Sequence, residues 1–120
     1  MIHTDNKGRK IIGYWSDQAL IAGVWTYALV TIYPNARDWV DTSWNDAERN
    51  KVILYLLGSG REHASYRGPS RCRFCDKHNG SREFTDGVYI WPSGLEHYLA
   101  KHGVKPPQEF IDHVIREMRT

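Results

Sequence analysis

The chain has 120 residues, of which 41% are hydrophobic and 25% charged, and its formal net charge is +2. These values are typical of a folded globular domain and exclude an intrinsically disordered chain. A net charge this small also gives the chain as a whole no strong attraction to nucleic acid or to a membrane surface. We expect one domain over residues 1–120.

The N-terminal region, residues 1–60, is expected to contain strands followed by one helix. Residues 9–16 and the β-branched and aromatic run at 24–33 predict strands. Residues 18–36 carry no charge, but only about 15 of them are continuously apolar, fewer than the ~20 that a membrane-spanning helix needs. We therefore expect buried strands or a core helix there, no membrane partner, and, without a secretory signal, a cytoplasmic protein.

The helix of this region is predicted to begin after Asn45. Asn45 and Glu48 have the spacing of a capping box, and Gly58–Gly60 supplies a stop signal. Apolar residues at helical spacing predict its buried face: Ala47, Val52, Ile53, Leu56 and Leu57.

Residues 71–91 carry two dipeptides typical of tight turns, Asn79-Gly80 and Asp86-Gly87. Each readily takes positive φ, so both predict hairpins, with short strands at 81–85 and 88–91. A helix should follow, with Ser93 as N-cap, Glu96 as its capping-box partner and Gly103 just beyond its end.

The last helix is predicted to start after Pro106-Pro107. Its apolar positions fall on one face: Phe110, Ile111, Val114, Ile115 and Met118. Residues 61–120 are thus expected to form a hairpin–helix–helix module.

Four residues of this module have the chemistry of a metal site. Cys72 and Cys75 form a Cys-x-x-Cys pair, and His97 and His102 lie five residues apart on the following helix. Structural zinc takes four N/S ligands in a tetrahedron, and His pairs spaced by three to five residues are common in such sites. We expect one structural Zn²⁺ on these four side chains, although His78 or His63 could replace one histidine.

Other readings of the cysteine pair are weaker. Redox chemistry favours Cys-x-x-Cys at the start of a helix, whereas residues 76–80 predict a turn. Catalytic zinc keeps one position open, and the H-E-x-x-H and deaminase motifs are absent from the sequence. We therefore expect no catalytic residue, with the enzymatic question left open.

A basic stretch surrounds the cysteines. Residues 61–82 contain six basic and two acidic side chains, a local net charge of +4 (six minus two). Such a patch could contact phosphates or another partner, or it could be a solvated face with paired arginines. Its candidate contact residues are Arg67, Arg71, Arg73, Lys77 and Arg82.

The chain resembles a family of small uncharacterised bacterial proteins that share the phrases YRG, CRxC, NGS, TDG and WPxGLxHY followed by a histidine. The matching stretches of this chain are 66–68, 72–75, 79–81, 85–87 and 91–98, with His102. Residues 12–15 and 38–41 are also similar, so the resemblance extends over most of the chain. The resemblance implies one compact unit with the same four candidate ligands, and no activity.

The sequence thus predicts an α+β fold, a small single domain with a zinc-knuckle hairpin followed by helices and a zinc-finger- or treble-clef-like C-terminal half. The favoured function is a zinc-binding protein that contacts another protein. A nucleic-acid-binding protein is the alternative, and a zinc-dependent hydrolase or nuclease is the third hypothesis.

Overall fold

The structure is a computed structural model that describes residues 3–15, 35–65 and 71–119. The predicted strand at 24–33 and Arg67 lie outside the described residues. The fold is α+β, as predicted. The strands are β1 (His3–Thr4), β2 (Lys10–Ile11), β3 (Arg61–Ser65), β4 (Arg82–Thr85) and β5 (Tyr89–Pro92). The helices are α1 (Asp46–Gly58), α2 (Leu95–His102) and α3 (Gln108–Met118), with a 3-10 turn at Ala36–Trp39.

The strands form one mixed sheet in the order β1-β2-β5-β4-β3. β2 runs parallel to β5, with Ile11 opposite Ile90, and the other pairs are antiparallel. β5 is central, and its first three residues are buried. A central strand covered on both faces should be apolar throughout, as the sequence of β5 is.

The predicted β-ribbon between the cysteines and α2 is confirmed for Asp86-Gly87, which joins β4 to β5. The prediction of a hairpin at Asn79-Gly80 is wrong. Gly80 has a positive φ of 89°, but residues 71–78 form no strand and contain an isolated bridge between Arg71 and His78. This turn leads from the cysteines into β4. The partner of β4 on its outer side is β3, which the sequence did not predict.

Helix α1 begins as predicted, because the Asn45 side chain accepts a hydrogen bond from the Glu48 amide at 2.9 Å. Its buried face differs from the prediction: Val52, Tyr55 and Leu56 are buried, whereas Leu57 is 64% exposed. The observed buried face is therefore rotated relative to the predicted one. Ala47, which is exposed, also lies outside the observed face.

The predicted capping box of α2 is wrong. Ser93 does not cap the helix; its hydroxyl accepts a hydrogen bond from the Arg82 amide instead. Ser93 also donates its own amide to the Arg82 carbonyl, so it still belongs to the edge of the hairpin. Gly94, with φ 90°, occupies the N-cap position without any side-chain cap. Glu96 is consequently not a capping partner.

Helix α3 follows Pro107 as predicted, and Phe110, Ile111 and Val114 are fully buried in the core. Met118 is 45% exposed, so the predicted apolar face ends before it. Helix α1 packs against both α2 and α3. Around these helices the aromatic rings of Tyr55, Trp91 and Phe110 pack against one another.

A buried carboxylate ties three elements together. Asp86 Oδ2 accepts hydrogen bonds from Tyr55 Oη at 2.5 Å and pairs with His113 Nε2 at 2.8 Å. Its Oδ1 accepts the Val88 and Tyr89 amides. Every acceptor position of this carboxylate is used, which makes it a structural joint between α1, α3 and the β4–β5 turn.

None of the helices in the described ranges has the length and apolar character needed to cross a membrane.

Candidate metal centre

The two cysteines lie on a tight backbone turn. The Cys72 amide donates to the Lys77 carbonyl, and the Asp76 amide donates to the Cys72 carbonyl, both at 2.9 Å. Asp76 takes a positive φ of 60°, which lets the chain reverse. Residues 72–77, called the knuckle below, therefore hold both thiols on one short loop, and both thiols are free. The pair does not lie at the start of a helix, as redox chemistry would favour.

The two histidines come from the ends of α2. His97 lies in its first turn and His102 is its last residue. Five residues correspond to about 140° around a regular helix, yet the ring centroids of the pair are only 5.0 Å apart. The helix ends immediately afterwards in a left-handed residue, Gly103, with φ 68°. The predicted stop at Gly103 is confirmed.

The structure brings all four predicted residues together. One ligand atom from each of Cys72, Cys75, His97 and His102 lies within 4.8 Å of the others. Cys75 Sγ and His97 Nε2 are 3.3 Å apart. A zinc tetrahedron built from Zn–S and Zn–N bonds of about 2.3 and 2.0–2.1 Å has edges of roughly 3.3–3.8 Å. The cluster is therefore compatible with one metal ion once its most distant ligand atoms, up to 4.8 Å apart, move closer by about 1 Å.

His102 carries an orphaned nitrogen. Its Nε2 is buried and makes no hydrogen bond within the described part of the chain. A buried polar atom without a partner is costly unless something else binds it. Burial, with the positive charges nearby, lowers the pKa of both His97 and His102, which favours the neutral imidazole that a metal requires.

Aromatic stacking fixes the orientation of His102. The Phe74 ring stacks on the imidazole with centroids 4.5 Å apart and planes 10° from parallel. The Arg37 guanidinium lies over Phe74, 4.5 Å from its centroid, and donates to the Arg73 carbonyl at 2.9 Å. The 3-10 turn thus braces the knuckle and, through Phe74, one histidine.

The Cys72 sulfur has a backbone hydrogen-bond donor. The Phe74 amide donates to Cys72 Sγ at 3.4 Å. Tyr98 Oη accepts the Arg73 amide at 2.9 Å. Burial raises the pKa of Tyr98 to about 12, so the phenol stays neutral near pH 7. The Phe74 amide fixes the direction of the Cys72 side chain.

The exit of the knuckle is packed against the start of α2. A Cβ on Gly94 would lie 2.2 Å from Asn79 Cβ, a distance that no real contact reaches. The φ of Gly94, 90°, also disfavours any side chain. This close approach explains why the helix starts one residue later than predicted, and it packs Asn79 directly against the start of α2.

The two alternative ligands do not join the cluster. His63 lies on the sheet edge, with its Nε2 3.6 Å from Glu83 and its Nδ1 3.5 Å from Arg9. His78 is exposed on the knuckle exit, where its backbone bridges to Arg71.

The basic stretch is partly neutralised. Arg71 pairs with Asp76 at 3.2 Å, and Arg82 pairs with Glu62 at 3.1 Å. Arg73 is half-buried and donates to the Arg71 carbonyl at 2.5 Å. Lys77 is exposed. Among the described residues, Arg71 and Arg82 are thus already paired with carboxylates.

Three residues that support the cluster were not predicted. Phe74, Tyr98 and Arg37 contact a ligand or the knuckle backbone. For Phe74 and Tyr98 a signal existed, since each is an aromatic residue adjacent to a ligand in the sequence. Nothing in the sequence points to Arg37, which is 35 residues before Cys72.

The fold and the cluster define an α+β domain with a two-cysteine, two-histidine group that could bind one metal ion. Comparisons with protein-family models, with curated proteins and with solved structures find no match to this chain. The family resemblance noted in the sequence therefore stays an expectation.

Proposed function

We propose that this chain is a zinc-stabilised, non-enzymatic binding protein in which Cys72, Cys75, His97 and His102 hold one structural Zn²⁺. The observation that carries the proposal is the convergence of these four side chains within 4.8 Å. They come from two separate elements that nothing but the fold brings together.

The ligand set favours zinc. Two thiolates and two imidazoles form a soft-to-borderline donor set, which suits Zn²⁺ in a tetrahedron and does not suit the oxygen-seeking Mg²⁺ or Ca²⁺. The lowered pKa of each histidine favours the neutral imidazole that binds the ion.

Four protein donors also favour a structural role. A catalytic zinc ion needs an open coordination position for water and a carboxylate close to it. Among the described residues, the cluster contains no aspartate or glutamate, and its four side chains would fill all four positions of a tetrahedron. A hydrolase or nuclease would require one of these ligands to leave.

The ion would cross-link the knuckle to α2 through its four ligands. The knuckle is short, Cys75 is exposed, and the loop holds few apolar side chains beyond Cys72 and Phe74. Structural zinc contributes about 10–16 kcal/mol of apparent binding free energy in small fingers. Loss of the ion should therefore release the knuckle and destabilise α2.

A protein partner is favoured over nucleic acid. Leu54 and Leu57 are 63% and 64% exposed on neighbouring turns of α1, and exposed apolar side chains of this kind support contact with another protein. Arg71 and Arg82 are already paired with carboxylates, which reduces the positive charge that phosphates would bind. Both observations support a protein as the partner and leave nucleic acid as the alternative.

The proposal is tested by the metal content of the purified full chain. Elemental analysis should give one zinc per chain, and the Cys75→Ser and His102→Gln variants should each bind zinc far more weakly. His63→Gln and His78→Gln are matched controls, because each removes a histidine outside the cluster. Both controls should keep one zinc.

The partner class is tested separately. Labelled single-stranded and duplex oligonucleotides, titrated at several salt concentrations, should show no binding that falls steeply with salt. Steeply salt-dependent binding that is lost in Arg73→Ala would favour the nucleic-acid alternative. A zinc-free wild-type chain that unfolds no more easily than the zinc-loaded one would remove the structural-zinc proposal.

A further inference from the structure

The four side chains of the metal centre differ in their exposure to solvent. Cys72 is only 3% exposed, and the two histidines, His97 and His102, are half-buried. Cys75 is the exposed member of the group. A small reagent in solvent therefore reaches the Cys75 sulfur before any other ligand atom of the cluster.

The sulfur of Cys72 lies within reach of that exposed thiol. Both residues are on the knuckle, where the Asp76 amide donates to the Cys72 carbonyl at 2.9 Å and closes one turn of the chain. The two sulfur atoms are at most 4.8 Å apart. A disulfide needs a Cα separation of about 4.4–6.8 Å, which residues three positions apart on one turn satisfy. Rotation of the two side chains within the knuckle can therefore join the sulfurs.

We propose that the metal centre is a peroxide-sensitive switch, in which hydrogen peroxide oxidises Cys75 and Cys72 to a disulfide and the zinc ion leaves. The switch rests on the zinc function proposed above and adds a means of regulating it. An exposed thiolate beside a second, resolving cysteine is the arrangement that redox-sensing sites use. The chain has two cysteines, so within one chain they can pair only with each other.

The oxidation takes place in two balanced steps. The Cys75 thiolate attacks one peroxide oxygen, an S–O bond forms as the O–O bond breaks, and hydroxide leaves. The Cys72 thiolate then attacks the Cys75 sulfur, an S–S bond forms as the S–O bond breaks, and a second hydroxide leaves. Two electrons pass from sulfur to peroxide, and both hydroxides take protons from solvent to give water. Zinc has no redox chemistry and leaves as Zn²⁺.

The switch does not need the geometry of a dithiol enzyme. Redox catalysis favours Cys-x-x-Cys at the start of a helix, where the dipole stabilises the thiolate, whereas the knuckle lies on a turn between β3 and β4. Sulfur bound to a metal ion is already deprotonated. The ligand set therefore supplies the thiolate that peroxide attacks, without a helix dipole.

Disulfide formation removes half of the ligand set. His97 and His102 supply two donors, whereas structural zinc is held by four, so the ion is lost and α2 loses its metal link to the knuckle. The stack of Phe74 on His102 and the hydrogen bond from the Arg73 amide to Tyr98 do not involve the ion. These contacts keep the knuckle beside a destabilised α2, so reduction returns both thiols to the histidines.

The test is peroxide treatment of the zinc-loaded full chain, whose zinc content is first measured by elemental analysis. A chromophoric chelator should report one zinc released for every two thiols lost. The mass of the intact, metal-free chain should fall by that of two hydrogen atoms, and peptide mass spectrometry should place the disulfide between Cys72 and Cys75. Dithiothreitol followed by zinc should restore the original zinc content.

The difference in exposure gives a second measurement on the same wild-type protein. With less than one equivalent of peroxide, and dimedone present to trap sulfenic acid, the adduct should form on Cys75 at least about tenfold more often than on Cys72. Met118→Leu is the control, because Met118 is 45% exposed and peroxide also oxidises thioethers. This variant should release zinc within about twofold of the wild-type rate, since its thiols are unchanged.

The outcomes separate the switch from the zinc function. A purified chain that binds no zinc overturns both. A chain that holds one zinc and keeps it under peroxide overturns the switch alone and leaves the structural site intact. The switch is also overturned if zinc leaves while both thiols remain, if Cys72 reacts before Cys75, if reduction does not restore zinc binding, or if Met118→Leu abolishes the release.

Discussion

The ring of Phe74, which lies between the two cysteines, stacks face to face on the imidazole of His102, with the centroids 4.5 Å apart. This contact joins the knuckle to the far end of α2 without any bond through the metal. It holds the imidazole in one orientation before an ion arrives, and preorganised ligands lose less entropy on binding.

Removing this stack should weaken metal binding. We expect Phe74→Ala to lower zinc affinity by about 10–100-fold, the usual effect of losing a group that orients a ligand. Competition with a chromophoric chelator measures it. Phe74→Leu is the control for side-chain volume, since it keeps apolar volume but not the flat ring. Its zinc affinity should lie between those of Phe74→Ala and the wild type. An affinity of Phe74→Ala equal to that of the wild type would show that His102 needs no such support.

Gly94 should tolerate no side chain. Gly94→Ala places a Cβ 2.2 Å from Asn79 Cβ at a φ of 90°, so it meets both backbone strain and a clash. Gly8→Ala is the matched control, because Gly8 has φ 82° and nothing within 4 Å of the added atom. Denaturant unfolding should show a loss of about 1–2 kcal/mol for the control and a further ~1–3 kcal/mol for Gly94→Ala. Equal losses would mean that the close approach to Asn79 is unimportant.

The cluster was predictable because its chemistry is local in sequence, whereas the packing around it is not. The Cys-x-x-Cys pair, the two histidines and the stop at Gly103 each follow from a short pattern. The N-cap was misplaced because Ser93 has the right residue type, and only the contact between Gly94 and Asn79 shows that the backbone turns one residue later.

Two other errors have equally specific causes. Residues 52–57 are six consecutive apolar residues, so periodicity does not decide which of them face inward. The predicted face omits Tyr55, which is buried, and includes Leu57, which is exposed. Strand β3 was missed because its residues are mostly exposed, and a strand held mainly by backbone pairing lacks the alternation by which strands are recognised.

The buried carboxylate of Asp86 should be important for stability. We expect Asp86→Asn to destabilise the zinc-loaded chain by about 2–4 kcal/mol, because an amide does not accept all four hydrogen bonds. Urea unfolding at neutral pH measures this. Asp112→Asn, on the exposed face of α3, is the control and should change stability by less than about 0.5 kcal/mol. An unchanged free energy of unfolding in Asp86→Asn would contradict the structural role of this carboxylate.

The pKa of the Asp86 carboxyl group also predicts how the stability of the protein changes in acid. Burial would raise the pKa of Asp86, but its hydrogen bonds outweigh this and hold the pKa below the ordinary value of 3.8. Its contribution to stability is therefore complete above pH 3.8 and is lost as the pH falls through the lower folded-state value.

Alkaline pH should act through Tyr89. Its burial, with Glu109 close by, raises the pKa of the phenol from 10.0 to about 12. The unfolded phenol ionises near pH 10, so the stability contribution is complete below pH 10 and is lost as the pH rises from 10 towards 12. Absorbance titration near the phenolate band should show a late-ionising group that is missing in Tyr89→Phe. An unchanged titration curve in that variant would contradict the raised pKa.

The most direct test of the central claim is X-ray absorption spectroscopy at the zinc edge of the purified, metal-loaded protein. It counts the donor atoms around the ion and measures their distances. We expect two sulfur atoms at about 2.3 Å and two imidazole nitrogens at about 2.0–2.1 Å, with no water ligand. A shell that contains a coordinated water, or fewer than two sulfurs, would contradict the structural site formed by Cys72, Cys75, His97 and His102.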